Sequence, residues 1–346
     1  MTASLIYNYS LPELTEIFAS LDEPGYRAIQ FWQGLYQQFW FSPDEFTIFP
    51  IPLRNKIADK FSFNSLNPVT SLSSTDKKTI KALFKLQDGH TIEAVLMKYE
   101  KRRTVCISTQ VGCAMGCVFC ATGQMGFTRH LSSGEIVAQV LYYARLSKNE
   151  GATITNVVLM GMGEPFHNYR NTMTAIDRLN DNNGYNFGSR RFTISTVGLV
   201  PAIRRFTQEK RQVNLAISLH AADDTLRTSM LPVNKSFPLE QVLAACHEYV
   251  STTSRRITFE WALVNGINDT PEQAHLLAGK IKGLLCHVNA IPLNPTKGYL
   301  GNATTRLRAN LFKNILIDHG IPCTIRLRRG MDIQAGCGQL ASNDEK

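Results

Sequence analysis

In the stretch "STQVGCAMGCVFCATGQMGF" (residues 108–127) Cys113, Cys117 and Cys120 fall within eight residues, with three residues and then two between them. Cysteines seldom group this tightly without a shared ligand, although three separate buried thiols remain the bland reading. A structural zinc site is closed by four ligands, usually two close pairs. Here the close group holds three, and the next cysteine, Cys246, lies far along the chain inside a helical pattern. Three thiolates and one vacant position describe a 4Fe–4S cube with one iron open to a further ligand. The residues between the cysteines, "AMG" and "VF", leave the backbone free to wrap a cluster and donate N–H groups to its sulfurs.

Other reactive side chains are ambiguous one by one. Cys337 stands between Gly336 and Gly338, in a loop too flexible to be core, which favours a reactive thiol. Cys106, within "TVCIS", reads by itself as a core cysteine, and Glu93, within "HTIEAVLM", as a solvent-facing strand residue. His220 alone fits a satisfied core histidine, and Cys246, Cys286 and Cys323 lie in packing patterns.

The elements that must carry these residues alternate from about residue 100. Short β-type runs ("TVCIST", "NVVLMGMG", "RFTIST", "NLAISLH", "ITFEWAL", "HVNAIPL", "CTIRL") are separated by helical segments such as "EIVAQVLYYARL". Such alternation predicts an α/β fold, a parallel sheet with helical crossovers. Near seven strands suit a partial (βα) barrel better than a closed eight-fold one. Ser132 and Glu135 form a capping-box pattern opening the first of these helices. In such a sheet chemistry gathers where strands end. There lie Gly163-Glu164-Pro165, Ser195, Ser218-Leu219-His220 and Asn294, together with the cysteine trio.

Residues 1–90 differ in style from residues 91–346 and predict a small, mainly helical N-terminal domain. "LPELTEIFASL", "GYRAIQFWQGLYQQFW" and "PLRNKIADKF" carry helical periodicity, with Phe31, Trp32, Tyr36 and Trp40 as core. A Ser/Asn-rich link, "NSLNPVTSLSSTDKK", follows, and then two β-type runs joined at Asp88-Gly89, a hairpin signal. The last residues, "ASNDEK", predict a frayed tail.

Apolar residues make up 44 % of 346, enough for a sizeable core, and no run of about 18 apolar residues suggests a membrane span. Without a signal-peptide pattern the chain is placed in the cytoplasm, with no membrane partner and mostly reduced cysteines. The net charge of +9 suits a polyanionic partner. Basic pairs, among them Arg102-Arg103, Arg204-Arg205 and Arg328-Arg329, flank β-type runs, and Arg204-Arg205 is expected to face nucleic acid.

Cys-x3-Cys-x2-Cys with Phe119 before its last cysteine resembles the radical S-adenosylmethionine superfamily. "CISTQVGCAMGCVFCATGQMGFTRHL", "GMGEP", "ISTVGLVP", "SLHAADDTLRTSMLP" and "DIQAGCGQL" together resemble its RlmN branch of RNA adenosine C2-methyltransferases, over nearly the whole chain. "EPGYRAIQFWQGLYQ" resembles that family's accessory domain, and only this resemblance implies that residues 1–90 are an RNA-binding accessory domain to a catalytic domain over 91–346. Gly336 and Met331 depart from the family's common residues without removing a reacting group. The resemblance implies a 4Fe–4S cluster on Cys113, Cys117 and Cys120. It also implies S-adenosyl-L-methionine, two molecules per turnover, held by Gly163, Glu164, Ser195, Ser218, Leu219, His220 and Asn294. One cofactor molecule would methylate Cys337, and a second would yield a radical that activates this methyl group. The carbon would then add to adenine as a protein–RNA crosslink. Glu93 would accept the ring proton, and Cys106 would resolve the crosslink by forming a transient disulfide with Cys337. The implied partners are 23S rRNA, transfer RNA and an electron donor such as flavodoxin. Two other readings stay open: the C8-methylating resistance-type relative, which differs at the position of Pro165, and a non-catalytic, metal-stabilised RNA-binding protein.

Overall fold

A computed structural model describes residues 4–63 and 66–341, so the tail beyond Ala341 lies outside the described residues. The chain opens with β1 (Ser4–Leu5), α1 (Leu11–Ala19), α2 (Gly25–Gln33), α3 (Ile51–Lys60) and β2 (Phe61–Ser62). Ser10 caps α1 by accepting from the Glu13 N–H, while Glu13 reaches back to Ser10, so two free helix-end donors are satisfied. β1 pairs in parallel with β2 and ties the two ends of this unit together. Its centre is aromatic. The Phe31 ring lies 4.6 Å from Phe46 and 5.3 Å from Phe18, edge-tilted contacts that each add about 1 kcal/mol beyond burial. Phe31, Trp32 and Tyr36 are buried, so they serve packing, and Trp40 is half-buried against them.

The Ser/Asn-rich link is largely a strand. β3 (Asn67–Ser73) pairs antiparallel with β4 (Thr79–Lys85), which pairs with β5 (Thr91–Lys98) across the Asp88-Gly89 turn. Every residue of β3 is exposed, so no buried face imposes the apolar alternation that reveals a strand. The hairpin straddles residue 90 and carries the sheet into the barrel.

Then follow β6 (Arg103–Cys106), β7 (Gln110–Gly112), α4 (Ala121–Gln124), β8 (Phe127–His130), α5 (Ser133–Asn149), β9 (Asn156–Leu159) and α6 (Tyr169–Asn180). Next come β10 (Phe192–Thr196), α7 (Val200–Gln208), β11 (Asn214–Ser218), α8 (Asp224–Met230) and α9 (Leu239–Thr253). The chain closes with β12 (Ile257–Leu263), α10 (Pro271–Ile281), β13 (Cys286–Pro292), α11 (Arg306–Asp318) and β14 (Cys323–Ile325). The ten-stranded sheet runs β14-β13-β12-β11-β10-β9-β6-β5-β4-β3. From β6 through β14 the neighbours are parallel, and these are the seven β-type runs read in the sequence. Among the described residues the sheet's edges, β14 and β3, do not pair with each other, so the barrel is open.

α5 is buried on nearly every side because it lies between the sheet and the N-terminal unit. Its Tyr143 hydroxyl donates to Ala94 O of β5, and its Arg145 pairs with Glu45. Gly134 sits so close to Asn8 that a side chain would strike its backbone. The expected capping box is present: Ser132 Oγ accepts from Glu135 N, and Glu135 from Ser132 N.

Candidate active site

The trio follows β7, where a tight turn starts the ligand loop. Gly112 has φ +70°, and a Cβ there would collide with Gly126 O. Cys113 N donates to that same oxygen (2.7 Å), Cys120 N to Cys117 O (3.2 Å), and Val118 N to Met230 O at the end of α8 (3.1 Å). The loop is thus held at both flanks. Burial pushes all three thiols up, Cys113 to about 12. Unliganded thiols would therefore be protonated, and a bound iron cluster would favour their thiolate form.

One cavity collects Cys113, Cys117, Cys120, Gly163, Glu164, Ser195, Ser218, His220, Asn294 and Cys337. Among the residues expected at the cofactor, Leu219 stands apart. Its side chain is buried in the core, and its carbonyl accepts from Arg227 Nε (3.2 Å). Glu164 spends its carboxylate on the backbone: Oε1 accepts from Phe166 N and Oε2 from Val197 N, both at 2.9 Å. It therefore ties the loop after β9 to the loop after β10. Burial raises its pKa to about 7 against these hydrogen bonds. His220 takes a left-handed backbone (φ +60°) and accepts the Ala262 N–H on Nδ1 (2.9 Å). Burial, with Arg227 nearby, lowers it to about 3, so the ring is neutral and its Nε2–H is free to donate. Asn294 Nδ2 donates to Cys337 O (3.0 Å), while its buried Oδ1 has no partner. An orphaned buried acceptor on this wall suits a ligand carrying N–H or O–H groups.

A second cavity is lined by Cys106, Tyr99, Arg326, Arg328, Arg329 and Cys337, and Asn294 borders it too. Cys337 therefore stands at the junction of the two spaces. The residue is exposed and lines both spaces. Burial raises the Cys337 thiol, and Arg326 pulls it back. Burial also holds Cys106 far above the ordinary thiol range, and Cys337 beside it adds to the effect. Strand register explains how Cys106 arrives there. It lies opposite Val95, two residues along β5 from Glu93, so Cys106 and Glu93 share one sheet face.

Glu93 is buried rather than solvent-facing. Its Oε1 pairs with Lys81 Nζ (2.8 Å), and its Oε2 accepts from Ala341 N (3.0 Å). The loop bearing Cys337 is held at further points: Ala121 N to Gly338 O (2.7 Å), Thr122 Oγ1 to Leu340 O (2.5 Å) and Gln339 Nε2 to Pro295 O (2.9 Å).

Four supporting residues were not legible in the sequence. Ser108 Oγ donates to Glu93 O (2.6 Å) and accepts from Met162 N (2.8 Å). Gln139 of α5 grips both sides of Ser108, accepting from its N–H and donating to its carbonyl. Glu260 lines the first cavity in register with Ser218, held by Asn289 Nδ2 at 2.9 Å. Fully buried Arg227 bridges Leu219 O and Val197 O. Only the alternation along "ITFEWAL", which puts Glu260 on an inward face, offered a signal. Arg204 and Arg205 do not line these cavities. They sit on α7 in the outer helical layer, paired with Glu248 and Glu209.

An open parallel barrel with three thiols at its strand ends is the architecture of the radical SAM superfamily, and residues 107–278 match that superfamily directly. The crystal structure of a radical SAM methyltransferase from Sphaerobacter thermophilus superposes with a TM-score of 0.96 at 49 % identity, covering 97 % of this chain and 99 % of that one. Dual-specificity RNA methyltransferase RlmN 1 of Myxococcus xanthus is 45 % identical over 345 residues, 100 % of this chain and 96 % of that protein. The probable dual-specificity RNA methyltransferase RlmN of Chloroflexus aurantiacus is 46 % identical over 352 residues, covering 99 % and 93 %. The chain belongs to the RlmN family of RNA methyltransferases.

Proposed function

We propose that this protein methylates carbon 2 of an adenosine in 23S rRNA and in transfer RNA, as a cytoplasmic enzyme served by an electron donor of the flavodoxin kind. The observation that carries the reading is the position of Cys337. It borders the cysteine-trio cavity on one side and the Cys106 cavity on the other, on a loop fastened to Glu93. A protein that merely bound metal and RNA would need none of these three.

Cys113, Cys117 and Cys120 would hold three corners of a 4Fe–4S cluster. Gly163, Glu164, Ser195, Ser218, His220 and Asn294 would surround S-adenosylmethionine, with the free Asn294 Oδ1 and the His220 Nε2–H as its polar partners. When bound, these groups supply a methyl group to Cys337 and then the radical that activates it. The chain's own residues do the rest. Cys337 carries the one-carbon unit to the base. Glu93 takes the proton from ring carbon 2. Cys106 attacks the Cys337 sulfur; the sulfur–methylene bond breaks, the carbon keeps the electron pair and gains the proton that Cys106 gives up, and the RNA leaves with a methyl group while the two cysteines form a disulfide. The N-terminal helical unit would dock the RNA body.

The test is mass spectrometry of nucleosides from RNA incubated with reconstituted enzyme, cofactor and reductant. 2-Methyladenosine in both RNA classes is the expected product. 8-Methyladenosine, or no methylated base, would overturn the proposal.

A further inference from the structure

Glu93 is the proposed proton acceptor, but Lys81, its ion-pair partner, has no assigned part in that reaction. The register sets up the pair: Glu93 lies opposite Leu83, and Lys81 opposite Val95, so the two side chains share a sheet face as diagonal neighbours. Lysine is almost never buried unless paired, yet Lys81 is only 9 % exposed and Glu93 only 5 %. Lys81 Nζ contacts Glu93 Oε1 at 2.8 Å and donates to Gln334 O at 3.4 Å. Glu93 Oε2 accepts from Ala341 N. Gln334 and Ala341 flank Cys337, so one ion pair fastens both arms of the loop that carries it. Lys81, Glu93, Gln334, Gln339 and Ala341 also line one cavity, so the buried pair borders a space that a ligand could enter.

A buried ion pair contributes little stability over apolar packing of the same volume. Its chemical effect is larger. A carboxyl group takes a proton only when it is already ionised, and burial alone drives Glu93 toward the neutral form. The Lys81 hydrogen bond and charge act in the opposite sense. We infer that Lys81 is the positioning residue of Glu93, keeping it an aimed carboxylate that can accept the ring proton. The inference rests on the proposed function. In the step concerned the C2–H bond breaks, a Glu93 O–H bond forms, the electron pair stays on the ring, and Lys81 keeps its own protons.

The experiment follows decay of the covalent protein–RNA adduct in holoenzyme carrying Lys81→Met or Lys81→Arg. The RNA carries hydrogen or deuterium at carbon 2 of the target adenosine. Lys81→Met should slow decay about tenfold or more and make it sensitive to deuterium, because ring-proton removal becomes limiting. Lys81→Arg keeps the cation and should recover most of the rate. Methylation of Cys337, read by peptide mass spectrometry, should be intact in both variants. Decay of Lys81→Met at the wild-type rate, slow decay without an isotope effect, or loss of Cys337 methylation would each overturn the inference. If even Cys106→Ala forms no covalent RNA, the proposed function fails instead.

Discussion

At the scale of single residues the cysteines divide by what surrounds them. Cys113, Cys117 and Cys120 share one cavity wall, and the other cysteine of that cavity, Cys337, comes from a separate loop more than two hundred residues along the chain. Cys117→Ala should therefore abolish both cluster and cofactor cleavage, as read by iron and acid-labile sulfide content after anaerobic reconstitution. A mutant with full iron content would remove the cluster assignment. Cys106 and Cys337 should differ in kind. Cys337→Ala should bind RNA without crosslinking, whereas Cys106→Ala should accumulate the crosslink on a denaturing gel. Two structural cysteines would instead give similar losses of stability.

Glu164 offers a pH test. Its folded-state pKa of about 7 lies above the ordinary carboxyl value of 4.5, so the folded protein holds this proton more tightly than the unfolded chain. Stability from this group is then greatest below about pH 4.5 and falls as pH rises toward 7, by a few kcal/mol at most. Urea unfolding of the apoprotein across pH 5 to 7.5 should show the decline, and Glu164→Gln should flatten it.

At the scale of elements, α5 is the beam on which the site rests. Fully buried Gln139 satisfies both the N–H and the carbonyl of Ser108, and Ser108 in turn joins β5 to the loop after β9. Gln139→Leu keeps the volume but leaves two buried backbone groups without partners, each costing about 1–3 kcal/mol. A fall of about 2–6 kcal/mol in the urea-extrapolated stability is expected. Ser132→Ala, which removes only the cap of the same helix, should cost about 1 kcal/mol. That difference separates the polar grip on the site from the helix's own stability.

For the whole molecule, charge decides how RNA arrives. Arg328 and Arg329 line the cavity with Cys106 and Cys337, and the Arg329 guanidinium lies 4.4 Å from the Tyr99 ring centroid, with that of Arg102 at 4.8 Å. Arg204 and Arg205 spend their charge on glutamates of the helical layer. Replacing Arg328 and Arg329 with glutamine should flatten the salt dependence of RNA affinity by about one log–log unit per lost phosphate contact. The same change at Arg204 and Arg205 should leave the slope nearly intact. Filter binding across a salt series distinguishes the two. Equal slopes for the two double mutants would place the RNA elsewhere on the protein.

What could be read along the chain is what depends on short spacing. The cysteine trio, the Ser132–Glu135 cap and the seven parallel strands are local patterns, set by ligand geometry, helix-end hydrogen bonding and apolar periodicity. The β3 strand escaped because a fully exposed edge needs no periodicity. Glu93 and Cys106 read locally as a surface strand residue and a core cysteine, because burial and pairing are long-range facts. Only the tertiary structure put Lys81 against Glu93, carried residue 341 back to residue 93, and left Cys337 between two cavities. Contacts made across hundreds of residues are set by how strands order themselves in the sheet, and no local pattern encodes that order.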